Sequence, residues 1–189
     1  MTRSVSFFFI SLLFCCSLWA QDKIAIVIAH KGFRDEELSK PLKYFRDEGL
    51  SVDTASTALS PAEGMLGMRV DPDLIIEEIK LEDYKALVII GGIGATELWN
   101  SGALAYKLKQ ADRNKQVIGA IGLAPIALAK AGILKDRRAT VWPEESGRLI
   151  KYGVEYVFAD VVADGNIITA SGPGEALQFG RKIVEAIRR

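Results

Sequence analysis

Cysteine is almost absent from this 189-residue chain: Cys15 and Cys16 are the only two, and none follows them. Beyond residue 16, no disulfide, thiolate metal ligand or cysteine nucleophile can form. Histidine is scarcer still. His30 stands alone, which excludes a histidine-rich zinc site and, since no cysteine follows residue 16 to supply a thiol to a mature domain, a Cys-His catalytic pair there. An excess of charge of one sign is missing too, since 24 Lys and Arg are set against 24 Asp and Glu. That balance gives no electrostatic footprint for nucleic acid or for an anionic membrane. Nucleotide motifs are also lacking. The Gly91-Gly92-Ile93-Gly94 run follows a late apolar strand, and no acidic residue about 20 positions on closes a dinucleotide fingerprint. No phosphate loop ending in Lys-Ser/Thr occurs. No cofactor and no metal is therefore expected.

What the chain does contain begins with one long apolar run. Arg3 is followed by the uncharged stretch Ser4 to Gln21, with Phe7-Phe8-Phe9-Ile10, Leu12-Leu13-Phe14 and a small residue at Ala20. The pattern predicts a secretory signal peptide over residues 1–20, a mature domain over 21–189, and a periplasmic or secreted product. The alternative is a retained membrane anchor, because the run approaches the roughly 18 residues a spanning helix needs. Leu18 is not the small residue preferred three positions before cleavage, and Phe14 before Cys15 argues against lipidation. After cleavage no membrane contact is expected. The remaining length suits one domain that buries its own core.

Apolar runs of strand length then alternate with helical spacing, which predicts an α/β fold: a single, doubly wound, mostly parallel sheet covered by helices on both faces. Strands are expected at 23–29, 50–55, 86–90, 117–121 and 167–170, with extended pieces at 139–142 and 157–163. Helices are expected at 35–48, 74–79, 103–111, 124–131 and 174–188. Residues 56–72 are rich in Ser, Pro, Gly and Asp, and Met65 to Val70 reads as a hairpin outside the main sheet. Asp164-Gly165-Asn166 carries a hairpin-turn signal. Ligands in such sheets collect at the carboxyl ends of the strands.

Val117-Ile118-Gly119-Ala120-Ile121-Gly122-Leu123-Ala124-Pro125 is an apolar strand that turns sharply into a helix. Many α/β enzymes carry a nucleophile at such a turn, beside backbone N–H groups that stabilise an anion. Here the turn residue is Gly122, which accepts the backbone geometry and supplies no reactive atom. Gly91 and Gly92 at another strand end, Leu123, and Glu37 in the first turn of a helix converge on the same crevice and form a candidate site for a small or anionic ligand. His30 closes the first strand and is a further candidate, with a structural or exposed histidine as the plainer reading. For Glu37 the plainer reading is a helix-start acid complementing the dipole, as Asp35 and Glu36 would.

Together these residues resemble the ThiJ/PfpI family, within the class I glutamine amidotransferase-like fold, from about Lys23 to Ile187. The resemblance rests on Phe33-Arg34-Asp35-Glu36-Glu37-Leu38, on Ile90-Gly91-Gly92-Ile93-Gly94-Ala95, on Ala120-Ile121-Gly122-Leu123-Ala124-Pro125 and on Asp164-Gly165-Asn166-Ile167-Ile168-Thr169-Ala170-Ser171-Gly172-Pro173. It implies that Glu37 takes the family's acidic position, that Gly122 stands where the family has its nucleophilic cysteine, and that Leu123 stands where a histidine often follows. It also implies a homodimer. The departures favour an exported, non-catalytic member that keeps a strand-end pocket. Two alternatives stay open: a cysteine-independent hydrolase, deglycase or lyase using Glu37 and an activated water, and a purely structural oligomer.

Overall fold

The structure, a computed structural model, describes residues 22–189; the signal peptide expected at residues 1–20 lies outside them. In chain order the elements are β1 (Lys23–Val27), β2 (Lys31–Phe33), α1 (Asp35–Asp47), β3 (Ser51–Ser56), β4 (Ala62–Gly64), β5 (Arg69–Val70) and β6 (Leu74–Ile75). There follow β7 (Ala86–Ile89), α2 (Ala95–Leu98), α3 (Gly102–Arg113), β8 (Val117–Ile121), α4 (Pro125–Lys130) and β9 (Arg138–Ala139). The chain ends with α5 (Ser146–Lys151), β10 (Glu155–Tyr156), β11 (Val161–Asp164), β12 (Ile167–Ala170) and α6 (Ala176–Ile187).

The main sheet has the order β11-β12-β8-β7-β1-β3-β6, and every neighbouring pair runs parallel except β11 with β12. β1 alternates its side chains between two apolar layers. Ile24 and Ile26 face one cluster with Leu38, Phe45, Phe179 and Ile183 of α1 and α6, while Ala25 and Val27 face another with Leu104, Leu108, Ile126 and Leu128 of α3 and α4. Burial on both faces explains why these strands read as continuous apolar runs. Gly119 serves this packing. A Cβ there would stand 2.7 Å from Ile183 Cδ1 and 2.9 Å from Phe179 Cζ, so its absence lets α6 lie close on β8.

The expected α/β architecture and the strand at 117–121 agree with the structure. Residues 74–79 do not form the expected helix: Leu74–Ile75 is an edge strand and only Ile76–Glu78 makes a 3₁₀ turn. The cause is Asp73, whose backbone N–H donates to Thr54 O at 2.8 Å and whose carboxylate accepts from Thr54 N–H at 2.7 Å. These bonds pin the chain alongside β3 before a helix can start. The small hairpin forms outside the main sheet, as β4 and β5, with Met65 to Met68 as its turn rather than its strand. It pairs with β2 in a separate three-stranded sheet. α2 was not foreseen, because the glycine run before it masks its helical spacing.

The order of the main sheet sets the place of any site. From β1 the chain moves outward through β3 to β6, then returns to the other side of β1 for β7 and β8. The switch therefore lies between β1 and β7, and the crevice at their carboxyl ends is where the fold leaves room for a ligand.

Candidate ligand site above Gly122

β8 ends at Ile121, and Gly122 turns the chain with φ +62°, in the left-handed region that favours glycine. Its N–H donates to Ala170 O and its carbonyl accepts from Trp142 N–H, both at 3.0 Å. The turn is thus clamped between β12 and the segment at 140–142.

Glu37 sits directly over this turn. It is the third residue of α1, only 2 % exposed, and its Oε2 accepts the Gly91 N–H at 3.0 Å. A Cβ added to Gly122 would stand 2.5 Å from Glu37 Oε1 and 2.8 Å from Oε2. The carboxyl therefore occupies the space that a side chain at position 122 needs. Burial pushes the Glu37 carboxyl up from 4.5 to about 7; the Gly91 N–H and the Arg34 guanidinium pull it down, and Glu36 adds to the rise. Near neutral pH this group exchanges a proton, and Oε1 has no partner among the described residues.

The three acids opening α1 have separate tasks, which the helix-dipole reading alone would have merged. Asp35 is buried and accepts the N–H groups of Leu66 at 2.9 Å and Met68 at 2.8 Å, which fixes the β4–β5 turn. Glu36 pairs with Arg34 at 2.8 Å. Only Glu37 faces the crevice.

Above Gly122 lies an open cavity of about 240 Å³. Glu37, Gly92 and Gly122 form its floor, Arg34 lies at one side, and Met65, Ile93, Leu123, Trp142 and Pro173 supply apolar walls. Met65 reaches it because Asp35 holds the hairpin turn, and Met65 Sδ accepts the Ile93 N–H at 3.4 Å. The N–H groups of Gly92 and Leu123 donate to no other group among the described residues. Two unspent backbone donors beside a carboxyl, inside an apolar rim, suit an oxygen-bearing small molecule.

Among the residues singled out from sequence, Glu37, Gly92, Gly122 and Leu123 meet at this cavity. Gly91 lies beneath it. A Cβ there would stand 2.5 Å from both Glu37 Oε2 and Ile121 O, so its bareness lets the two strand ends close on the carboxyl. His30 does not join them. Its backbone N–H donates to Glu97 Oε1 at 2.9 Å, its ring lies 3.4 Å from Ser60 Oγ, and it is not among the residues that line the cavity. Among the described residues no group of three or more His, Cys, Asp or Glu is placed to hold a metal.

The DJ-1/PfpI family model matches residues 22–186. The chain belongs to the DJ-1/PfpI family. It is 44 % identical over 170 residues to an uncharacterised protein of Methanocaldococcus jannaschii, covering 88 % of this chain and 83 % of that one. It is 31 % identical over 164 residues to a deglycase of Pyrococcus abyssi, covering 86 % and 98 %. The crystal structure of a ThiJ/PfpI domain protein from Brachyspira murdochii superposes with a TM-score of 0.87 at 27 % identity, over 89 % of this chain and 97 % of that one.

Sequence reasoning missed Arg34, Met65, Ile93, Trp142 and Pro173 as lining residues. Trp142 lines the cavity and is 41 % exposed. The available signal was its place at the end of an extended piece whose N–H reaches the turn residue. Away from the cavity, Arg137 is held by Asp112 at 2.9 Å and Asn166 at 3.1 Å.

Proposed function

We propose that this DJ-1/PfpI family protein is an exported, non-catalytic member, working as a homodimer, that uses the strand-end cavity to bind a small ligand. One observation carries the reading. Glu37 fills the space above Gly122, so the turn holds a proton-exchanging carboxyl where the family resemblance implies a nucleophile. Nucleophilic catalysis needs an atom that Gly122 lacks, while unspent N–H groups and apolar walls are what ligand retention needs. Export rests on the apolar run after Arg3. An elbow free of thiol also suits an oxidising compartment, where a reactive cysteine would be consumed.

A second reading is favoured by the proton affinity of Glu37. A carboxyl titrating near 7 is tuned for general acid–base work, typically worth about 10²- to 10⁴-fold, and a relative named a deglycase makes water-mediated hydrolysis its natural form. The two readings part in one assay. Residues 22–189 are incubated with methylglyoxal and with a glycated protein, alongside Glu37→Ala and Gly122→Cys. The expected result is no turnover by the wild type above the Glu37→Ala background. Wild-type turnover abolished by Glu37→Ala would establish the enzyme reading instead.

A further inference from the structure

The floor of the cavity combines features that select one ligand chemistry. Glu37 is almost wholly buried, yet it spends only Oε2 within the protein, on the Gly91 N–H. Oε1, lying over Gly122, is the atom left to carry a proton toward the cavity. Gly92 and Leu123 also line the cavity, and their N–H groups have no acceptor of their own among the described residues. Three donors and no competing anion suit a group with two acceptor oxygens. Around them Met65, Ile93, Leu123 and Trp142 present apolar surface, and about 240 Å³ admits only a short tail.

We propose that the cavity is a proton-linked site for small monocarboxylates: the bound carboxylate accepts the Gly92 and Leu123 N–H groups and the Glu37 O–H, while its apolar tail packs against the rim. The proposal rests on the binding reading above and names its ligand class. No bond is made or broken. Above neutral pH the ligand enters together with one proton, which goes to Glu37 Oε1, because two carboxylates sharing donors cannot both stay charged.

The charged groups facing Glu37 leave this proton as the deciding variable. Arg34 lines the cavity, but its charge is paired with Glu36 at 2.8 Å. Asp35 is turned away onto the Leu66 and Met68 N–H groups. Lys40 of α1 is spent on the Pro173 carbonyl at 3.0 Å. The strand ends at 91–92 and 122–123 contribute no charged side chain.

The test uses residues 22–189 and titration calorimetry with acetate, isobutyrate and benzoate, each beside its neutral amide, between pH 5.5 and 8.5. Repetition in two buffers of different ionisation enthalpy counts the protons. At least one acid is expected to bind with a Kd that is level below pH 7 and weakens about tenfold per pH unit above it, with one proton taken up. Its amide is expected to vary less than threefold. Glu37→Gln, which stays neutral and keeps an N–H donor, is expected to bind the same acid with less than twofold change across the range. Acid binding independent of pH in the wild type, or a pH dependence that survives in Glu37→Gln, would overturn the inference. Amides binding without the acids would also overturn it while leaving the cavity a binding site. Failure of both series at every pH would remove the binding reading as well.

Discussion

Gly94→Ala is expected to destabilise the fold by more than about 4 kcal/mol, enough to lower the melting temperature of a domain this size by at least about 10 °C. Gly94 has an ordinary helical backbone, so the reason is space rather than conformation. A Cβ there would stand only 1.8 Å from Lys31 O and 2.9 Å from Ala29 Cβ. The contact is with main chain, which cannot swing aside as a side-chain tip can. It also falls where two segments interlock, since Gly94 N–H donates to Gly32 O at 2.9 Å and Arg34 N–H to Gly91 O at 3.0 Å. Forcing these apart removes backbone bonds as well as packing, and it moves the strand that leads into α1 and Glu37. Gly102→Ala is the control. Nothing lies within 4 Å of a Cβ there, and alanine at the start of α3 is expected to be neutral or slightly stabilising. Thermal melts of the two variants check the difference, and equal melting temperatures would contradict it.

The second large effect is on stability against pH. The folded protein holds the Glu37 proton up to about 7, whereas the unfolded chain releases it near 4.5. Between those values the unfolded state binds fewer protons than the folded one, so wild-type stability falls as pH rises from 4.5 to 7 and stays reduced above. The gap corresponds to about 3 kcal/mol. Glu37→Gln keeps the shape and an acceptor for the Gly91 N–H, and it carries no charge at any of these pH values. It is therefore expected to match the wild type near pH 4 and to exceed it by about 3 kcal/mol at pH 8. Urea unfolding at pH 4, 6 and 8 measures this. Parallel profiles for the two proteins would show that Glu37 ionises in the folded state as it does in water.

Much of this arrangement was legible because it is local. Val117 to Ile121 is a buried strand flanked by Gln116 and a glycine turn, and its limits in the structure are those its composition gives. Glu37 and Gly122 could be matched across 85 residues through the family resemblance, although neither composition nor spacing places one above the other. What stayed hidden depends on loops meeting in space. Met65 joins the cavity because Asp35, some 30 residues earlier, binds the Leu66 and Met68 N–H groups, and no periodicity encodes that bond. Trp142 arrives through its N–H to Gly122, and Pro173 through the turn after β12. His30 misled for the converse reason. Its place at a strand end suggested the crevice, but its backbone N–H meets the Glu97 carboxylate and its ring lies beside Ser60, contacts between distant segments that no local pattern encodes.

The stability profile, the ligand class and the non-catalytic reading all turn on one carboxyl placed over a turn without a side chain. Its proton can be followed directly by the ¹³C shift of the Glu37 carboxyl carbon in residues 22–189, titrated from pH 3 to 9 and assigned with Glu37→Gln. The account predicts a single step with its midpoint near 7. A midpoint near 4.5 would contradict it, because the group over Gly122 would then be an ordinary charged carboxylate throughout the neutral range.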